Sequence, residues 1–219
     1  IPKEKDVDGF RQDSKFDCCT PKGIIDWLYF NGCDVCGKNV VVLGRSEIVG
    51  KPLVNMLIDR GATVTCCNSH TDYETQITNN DADVIVSAIG KAKFLDWADI
   101  GSDCEIVIDV GINRDDAGKL CGDVNRESVE KLRPDTYVTP VPGGVGLLTR
   151  VSLLKNVVEA HENGYTENAV EDAISLLRKN DYFARKIPKN LCETAKGCSE
   201  TGCGECLDCS CFACMIGNE

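Results

Sequence analysis

The sequence predicts an α/β domain built on a doubly wound parallel sheet, followed by an added helix and a cysteine-rich tail. Three observations predict it. Short, continuously apolar, β-branched runs recur between residues 38 and 112, helical stretches separate them, and the first run enters its helix through a glycine-bounded turn. Strands apolar along their whole length are buried on both faces, and helices alternating with them form the crossovers of a parallel sheet. The 219 residues divide accordingly into a dinucleotide-binding type of domain at 1–163, an added amphipathic helix within 164–187, and a tail at 188–219.

Taken in order, Thr20 and Pro21 ahead of KGIIDWLYF read as an N-cap, a proline at the first helical position and an amphipathic helix. KNVVVLG at 38–44 is the first strand, and 49–60 has helical spacing of Val49, Leu53, Met56 and Leu57. TVTCC at 63–67 is the second strand, and 72–80 is a helix. DVIVSAIG at 83–90 and EIVIDVGI at 105–112 are two more buried strands. A last helix, Leu148 to His161, follows the run Thr139-Pro140-Val141-Pro142-Gly143-Gly144-Val145-Gly146. So much Pro and Gly fixes a backbone path, because Pro locks φ and Gly lets a ligand lie against the main chain. A ligand-facing loop and a tight structural corner are both open on that evidence.

An apolar share of 42% is enough for a buried core. A formal net charge of -11 argues against nucleic-acid and anionic-membrane binding, which need a basic face, and any bound phosphate must meet a local basic cluster. No apolar stretch reaches the roughly 18 residues of a membrane span, and the first ten residues carry no signal-peptide core, so a cytoplasmic location is expected. The chain opens on Ile1 within a polar segment and is read as a piece of a longer polypeptide.

Eight of the fifteen cysteines lie between Cys18 and Cys121, several in strand-like runs where a free thiol serves as a small hydrophobe. Cys33 and Cys36 form an isolated C-x-x-C, open to a redox or half-metal-site role, with no matching pair nearby.

The turn Gly44-Arg45-Ser46-Glu47-Ile48-Val49-Gly50 sits where a dinucleotide fold places a pyrophosphate, against N–H groups at a helix N-terminus. It departs from G-x-G-x-x-G, with Ser46 at the second glycine position and the last glycine one step late. Arg45 and Lys51 make a local positive pole, or Arg45 pairs with Glu47 and makes none. After the second strand the chain reads Cys67-Asn68-Ser69-His70-Thr71, without the carboxylate that holds the NAD ribose. With Arg45 and Ser69 placed to meet a 2′-phosphate, NADP is favoured over NAD.

KDVDGF at 5–10, CTPKGI at 19–24, GRSEIVGKP at 44–52, DVGIN at 109–113, GDV at 122–124 and TPVPGGVG at 139–146 occur in this order and spacing. Over residues 1 to about 163 the chain thereby resembles the bifunctional methylenetetrahydrofolate dehydrogenase/cyclohydrolases. The resemblance implies a Rossmann-type NAD(P)-binding domain that serves oxidation of 5,10-methylenetetrahydrofolate by NADP and hydrolysis of the methenyl product to 10-formyltetrahydrofolate. It also implies a homodimer and a role in purine biosynthesis. Gly44, Arg45, Ser46 and Ser69 resemble the cofactor-phosphate contacts, and Ile112 the residue whose backbone lies by the nicotinamide. Asp8 is similar to the carboxylate that holds the pterin ring, and Pro142, Gly143, Gly144 and Gly146 resemble the loop lining the folate cleft. The family's catalytic lysine, assisted by a tyrosine, belongs to a domain ahead of KDVDGF, so no catalytic residue is assigned here. His70 and His161 are read as ordinary, partly exposed histidines. Leu147 stands where the family usually has Pro, which frees one φ at the loop's exit.

Residues 166–187 place Val170, Ala173, Ile174 and Leu177 on one helical face, suited to docking on the body or on a second subunit. Beyond Pro188 the array Cys203, Cys206, Cys209, Cys211, Cys214 is too polar to fold on its own core. In a reducing compartment the ordered options are zinc or an iron–sulfur cluster, with Cys203, Cys206, Cys209 and Cys214 the candidate ligands and disorder or a sequence artefact as alternatives. A non-catalytic NADP-binding module with a metal-binding tail is the competing functional reading. Another dinucleotide oxidoreductase, of the shikimate or amino-acid dehydrogenase kind, would share the fold without reason to carry KDVDGF and TPVPGGVG together.

Overall fold

A computed structural model of the chain describes residues 3, 6–79 and 81–162. The added helix within 164–187 and the cysteine array at 203–214 lie outside the described residues.

Five parallel strands form the sheet: β1 (Asn39–Leu43), β2 (Thr63–Cys67), β3 (Val84–Ser87), β4 (Ile106–Asp109) and, at the far edge, a short strand at Tyr137–Val138. The spatial order is β2-β1-β3-β4 and then Tyr137–Val138, so the chain reverses direction across the sheet between β1 and β3. In an open parallel sheet the loops at the carboxyl ends of two such strands diverge and leave a crevice that is the usual ligand site. The doubly wound sheet read from the sequence is present.

Alternate residues of each strand enter two separate cores. Val40, Val42, Val84, Val86, Ile106 and Ile108 pack under α1 (Cys19–Phe30) and α2 (Gly50–Asp59), through Ile24, Leu28, Leu53 and Leu57. Val41, Leu43, Ile85 and Val107 face Ile77 of α3 (Tyr73–Asn79), Leu95, and Val129 of α4 (Arg126–Leu132). Being buried on both faces explains why these strands read as continuous apolar runs rather than alternating ones.

Helix α1 begins one residue before the expected cap. Thr20 is not the N-cap: its hydroxyl pairs with that of Thr149 at 2.9 Å, while the Cys19 N–H is taken by the Asp8 carbonyl at 3.2 Å. The chain segment lying over the helix end thus supplies what a capping side chain would otherwise provide. Helix α5 (Val145–Glu162) likewise starts three residues earlier than its apolar spacing indicates, because Val145 is buried in the α1–α2 core and draws the first turn inward. Helices α1 and α5 approach closely: a methyl group on Gly23 would come within 2.9 Å of Leu148. Lys155 of α5 pairs with Asp26 of α1 at 2.8 Å.

Candidate functional site

The turn after β1 is held by backbone geometry before any side chain acts. The Gly44 N–H donates to the Cys67 carbonyl at 3.0 Å, and the Ala88 N–H donates to the Leu43 carbonyl at 2.8 Å, so three strand ends meet here. Gly44 has φ +108°, and a side chain on it would strike the Ala88 carbonyl oxygen at 2.4 Å. A methyl group on Gly50 would stand 2.1 Å from the Gly44 carbonyl oxygen. These two glycines are therefore both required to close the turn, which the displaced glycine spacing in the sequence obscures.

Ser46 plays a local part that sequence reasoning missed. Its hydroxyl oxygen accepts from the Val49 and Gly50 N–H groups at 3.2 and 3.4 Å, capping the entry to α2 and leaving its proton free to donate outward. Lys51 pairs with Glu47 one turn back, so its charge is locally answered. Arg45 is exposed and has no hydrogen-bond or ion-pair partner among the described residues, which disposes of its pairing with Glu47. Ser69 is exposed two residues past Cys67, on the same sheet edge, between Asn68 and His70, whose N–H donates to the Asn68 side chain at 2.9 Å. Gly44, Arg45, Ser46 and Ser69 are thus brought to one rim.

Across the crevice stand two buried aspartates that sequence reasoning did not assign. Asp123, 0% exposed, accepts from the Ser87 hydroxyl (3.1 Å), from the N–H groups of Ile89 (2.7 Å), Gly90 (3.2 Å) and Lys91 (3.0 Å), and from Asn113 Nδ2 (2.8 Å). Asp109, 2% exposed, accepts from the N–H groups of Gly111 (3.0 Å), Asp123 (2.9 Å) and Val124 (2.9 Å). Burial pushes the Asp109 carboxyl up to about 6, and the neighbouring Asp123 charge adds to the rise against the opposing N–H donors. The glycines in DVGIN and GDV now have a reason. A methyl group on Gly111 would lie 2.1 Å from Asp123 Oδ1, and one on Gly122 would lie 1.8 Å from Asp109 Oδ2. A carboxylate inside an otherwise apolar strand run, followed by glycine, is the signal that could have found them. Ile112, between these anchored residues, is 72% exposed at the crevice.

The Pro/Gly run divides in two. Thr139 is structural: its hydroxyl accepts the Asp109 N–H at 2.8 Å and its own N–H donates to Val107 at 3.0 Å. Gly143 has φ +99°, and a methyl group on Gly144 would meet the Pro140 carbonyl at 2.3 Å. Val141–Pro142 is a cis peptide, and Gly146 lies in the first turn of α5 with open space around it.

In KDVDGF the two aspartates differ. Asp6 is buried and accepts from the N–H groups of Phe10 (3.2 Å) and Arg11 (2.9 Å); burial opposes its ionisation, but these bonds and the Ser14 hydroxyl hold its carboxyl below the usual range. The Asp8 side chain is half-buried and has no hydrogen bond among the described residues. Asn156, fully buried, fixes the segment. Its amide donates to the carbonyls of Val7 (2.9 Å) and Asp17 (3.2 Å), and its oxygen accepts from Lys22 Nζ at 2.7 Å. Asp8 and the Pro142–Gly146 loop are linked through α1, whose Thr20 and Gly23 rest on Thr149 and Leu148 just past the loop.

Cys33 belongs to the apolar core, where burial pushes its thiol up to about 11, while Cys36 is exposed. Cys33 thus packs there as a small hydrophobe. Among the described residues no three His, Cys, Asp or Glu side chains group as a metal site, and no helix is long and apolar enough to cross a membrane.

The family model described as tetrahydrofolate dehydrogenase/cyclohydrolase, NAD(P)-binding domain, matches residues 18–165. The chain belongs to this family. It is 46% identical over 171 residues to the bifunctional protein FolD of Burkholderia cenocepacia, covering 74% of this chain and 59% of that protein. It is 44% identical over 172 residues to FolD of Lysinibacillus sphaericus, again covering 74% and 59%. Among solved structures, FolD from Campylobacter jejuni superposes with a TM-score of 0.68 at 40% identity, covering 74% of this chain and 60% of that one. The Trypanosoma brucei dehydrogenase-cyclohydrolase, solved with NADP cofactor and an inhibitor, gives 0.65 at 32% identity, covering 76% and 61%. The chain thus spans about 59% of the length of the curated relatives it matches. The tetrahydrofolate dehydrogenase/cyclohydrolase assignment rests on the described sheet domain, which holds the family match apart from residue 80 and its last three residues.

Proposed function

We propose that this chain is the NADP-binding part of a methylenetetrahydrofolate dehydrogenase/cyclohydrolase of one-carbon metabolism. The observation that carries the reading is the rim after β1, where Arg45 is exposed and has no partner among the described residues, in a turn closed by Gly44 and Gly50, with Ser69 exposed after the neighbouring β2. A guanidinium without a partner among the described residues of a strongly acidic chain suits a phosphate, and the absence of a carboxylate after β2 suits the 2′-phosphate of NADP. The bound cofactor supplies the hydride acceptor. The residues of this chain orient and shield: Arg45, Ser46 and Ser69 take the phosphates, Ile112 presents an apolar surface and backbone at the crevice, and the Pro142–Gly146 loop borders the folate. Asp8, whose carboxylate has no hydrogen bond among the described residues, is suited to accept from the aminopyrimidine edge of a pterin. Hydride loss from the methylene carbon gains most from two rings held face to face with water excluded. The hydrolytic step needs a positioned acid or base, and no residue of this chain is assigned to it.

The same reading takes the protein to be a cytoplasmic homodimer contributing to purine biosynthesis, on the strength of the family resemblance. A metal in the tail, held by Cys203, Cys206, Cys209 and Cys214, rests on spacing alone. Calorimetric titration with NADP and NAD, with methylenetetrahydrofolate-dependent NADPH absorbance followed on the same sample, tests the assignment. NADP binding tighter than NAD without turnover is expected. No binding of either nucleotide would overturn the cofactor reading, and turnover near that of an intact enzyme would show that a catalytic group lies within these residues.

A further inference from the structure

The Asp123 carboxylate collects five donors from three places: the end of β3, the loop 89–91 that follows it, and Asn113 beyond β4. Three successive N–H groups converging on one anion form a nest of the kind that binds phosphate elsewhere, and here the chain fills it with its own side chain. That nest stands beside the point where the strand order reverses, across from Gly44. The 89–91 N–H groups are thereby taken by the chain's own carboxylate, which fixes this loop as a wall on the β3 side.

Ile112 borders that wall, and its 72% exposure leaves its side chain little packing to hold it. Its place is set by its two neighbours. The Gly111 N–H is bound by Asp109 at 3.0 Å, and the Asn113 amide is bound by Asp123 at 2.8 Å. The Asp123 backbone N–H in turn donates to Asp109 at 2.9 Å, which ties the Asp123 main chain to the Asp109 carboxylate. We propose that Asp123, acting through Asn113, is the positioning residue that presents the Ile112 segment as a preformed platform for the nicotinamide half of the dinucleotide, separately from the phosphate rim at Gly44–Gly50. The inference rests on the NADP reading above. It makes the crevice two independent half-sites, one built on Arg45 and one on Asp123, and preorganisation of the second lowers the ordering cost of binding.

Asn113→Ala removes the side-chain hydrogen bond from the Ile112 segment to Asp123 and leaves the Ser87, Ile89, Gly90 and Lys91 donors and the Asn113–Cys121 strand pairing in place. The full chain and this variant are titrated with NADP and with adenosine 2′,5′-bisphosphate, which carries the 2′-phosphate but no nicotinamide. NADP affinity is expected to fall roughly tenfold, the size of one hydrogen bond to a charged acceptor, while bisphosphate affinity stays within about twofold. Hydrogen exchange is expected to rise over 110–114 and to stay unchanged over 89–91. Equal weakening of both ligands, or of neither, overturns the proposal. If the unaltered chain binds neither ligand, the NADP reading fails separately, and exchange decides the clamp: unchanged exchange over 110–114 in the variant overturns it.

Discussion

Raising the pH through 6 should weaken this fold by way of Asp109. The carboxyl ionises near 3.8 when unfolded, and burial beside Asp123 lifts it to about 6 in the folded chain. The folded state therefore holds the proton more tightly. The contribution of Asp109 to stability is complete below pH 3.8 and is lost as pH rises through 6. A rise from 3.8 to about 6 corresponds to a loss on the order of 3 kcal/mol, or about 6 to 12 °C in Tm for a chain of this size. Asp6 and Asp96, whose carboxyls are held below the usual range, act in the opposite sense: their contributions are present above 3.8 and lost as pH falls, outside the window of interest. Asp109→Asn keeps the size of the side chain and cannot ionise. Thermal unfolding of both proteins between pH 4 and 7.5 isolates the effect, because groups not coupled to Asp109 cancel in the difference. The wild type should lose stability relative to the variant across that interval. A Tm difference that is constant with pH would refute the reasoning, and so would one of opposite sign.

Arg45→Ala should weaken NADP by about 1 to 3 kcal/mol while leaving NAD nearly unchanged, since the lost contact is to the 2′-phosphate; calorimetry showing equal losses would sink that assignment. Gly50→Ala forces a methyl group to within 2.1 Å of the Gly44 carbonyl oxygen, so the turn must open, with stability falling by about 1 to 3 kcal/mol in urea unfolding and NADP affinity falling at least about tenfold. Asn156→Ala strands the Val7 and Asp17 carbonyls and leaves the Lys22 ammonium with Glu159 at 3.7 Å, at a cost of about 2 to 3 kcal/mol, with hydrogen exchange rising over 7–18 while β1 and β3 stay protected.

Strand positions were legible in the sequence because burial on both faces leaves a run of β-branched residues that nothing else in the chain imitates. Their carboxyl ends were not. The runs at 83–90 and 105–112 continue as apolar sequence past Ser87 and Asp109, but the backbone leaves the sheet there to wrap the two aspartates. The hairpin that pairs 113–114 with 120–121 went unread although Asp115 and Gly118 advertise its turn, with Asp115 accepting from Ala117 and Lys119 at 3.1 and 2.9 Å. Helix α4 was missed because its seven residues bury little beyond Val129, so no apolar stripe marks it. At the site, Gly44 and Arg45 were readable from their place after the first strand. Ser46 as a helix cap and Asn156 as the anchor of the Asp8 segment depend on long-range or capping geometry that no local pattern encodes.

The acidity of the chain and its choice of an anionic cofactor are compatible because the charges are sorted by depth. Asp109 and Asp123 are buried under N–H donors that answer them, Glu47 is tied to Lys51, and the carboxylate expected of an NAD-specific rim is replaced by Asn68 and Ser69. The charge at the rim left without a partner among the described residues is the Arg45 guanidinium. A cation acting at contact distance outweighs like charge farther off, because interactions beyond about 8 Å are largely screened at physiological ionic strength. The local arrangement of the rim, rather than the net charge of -11, therefore sets the sign of the field that a phosphate meets. Introducing one carboxylate at Ser69 would reverse that field at short range, which is why the absence of an acid after β2 carries more weight than the departure from the glycine motif.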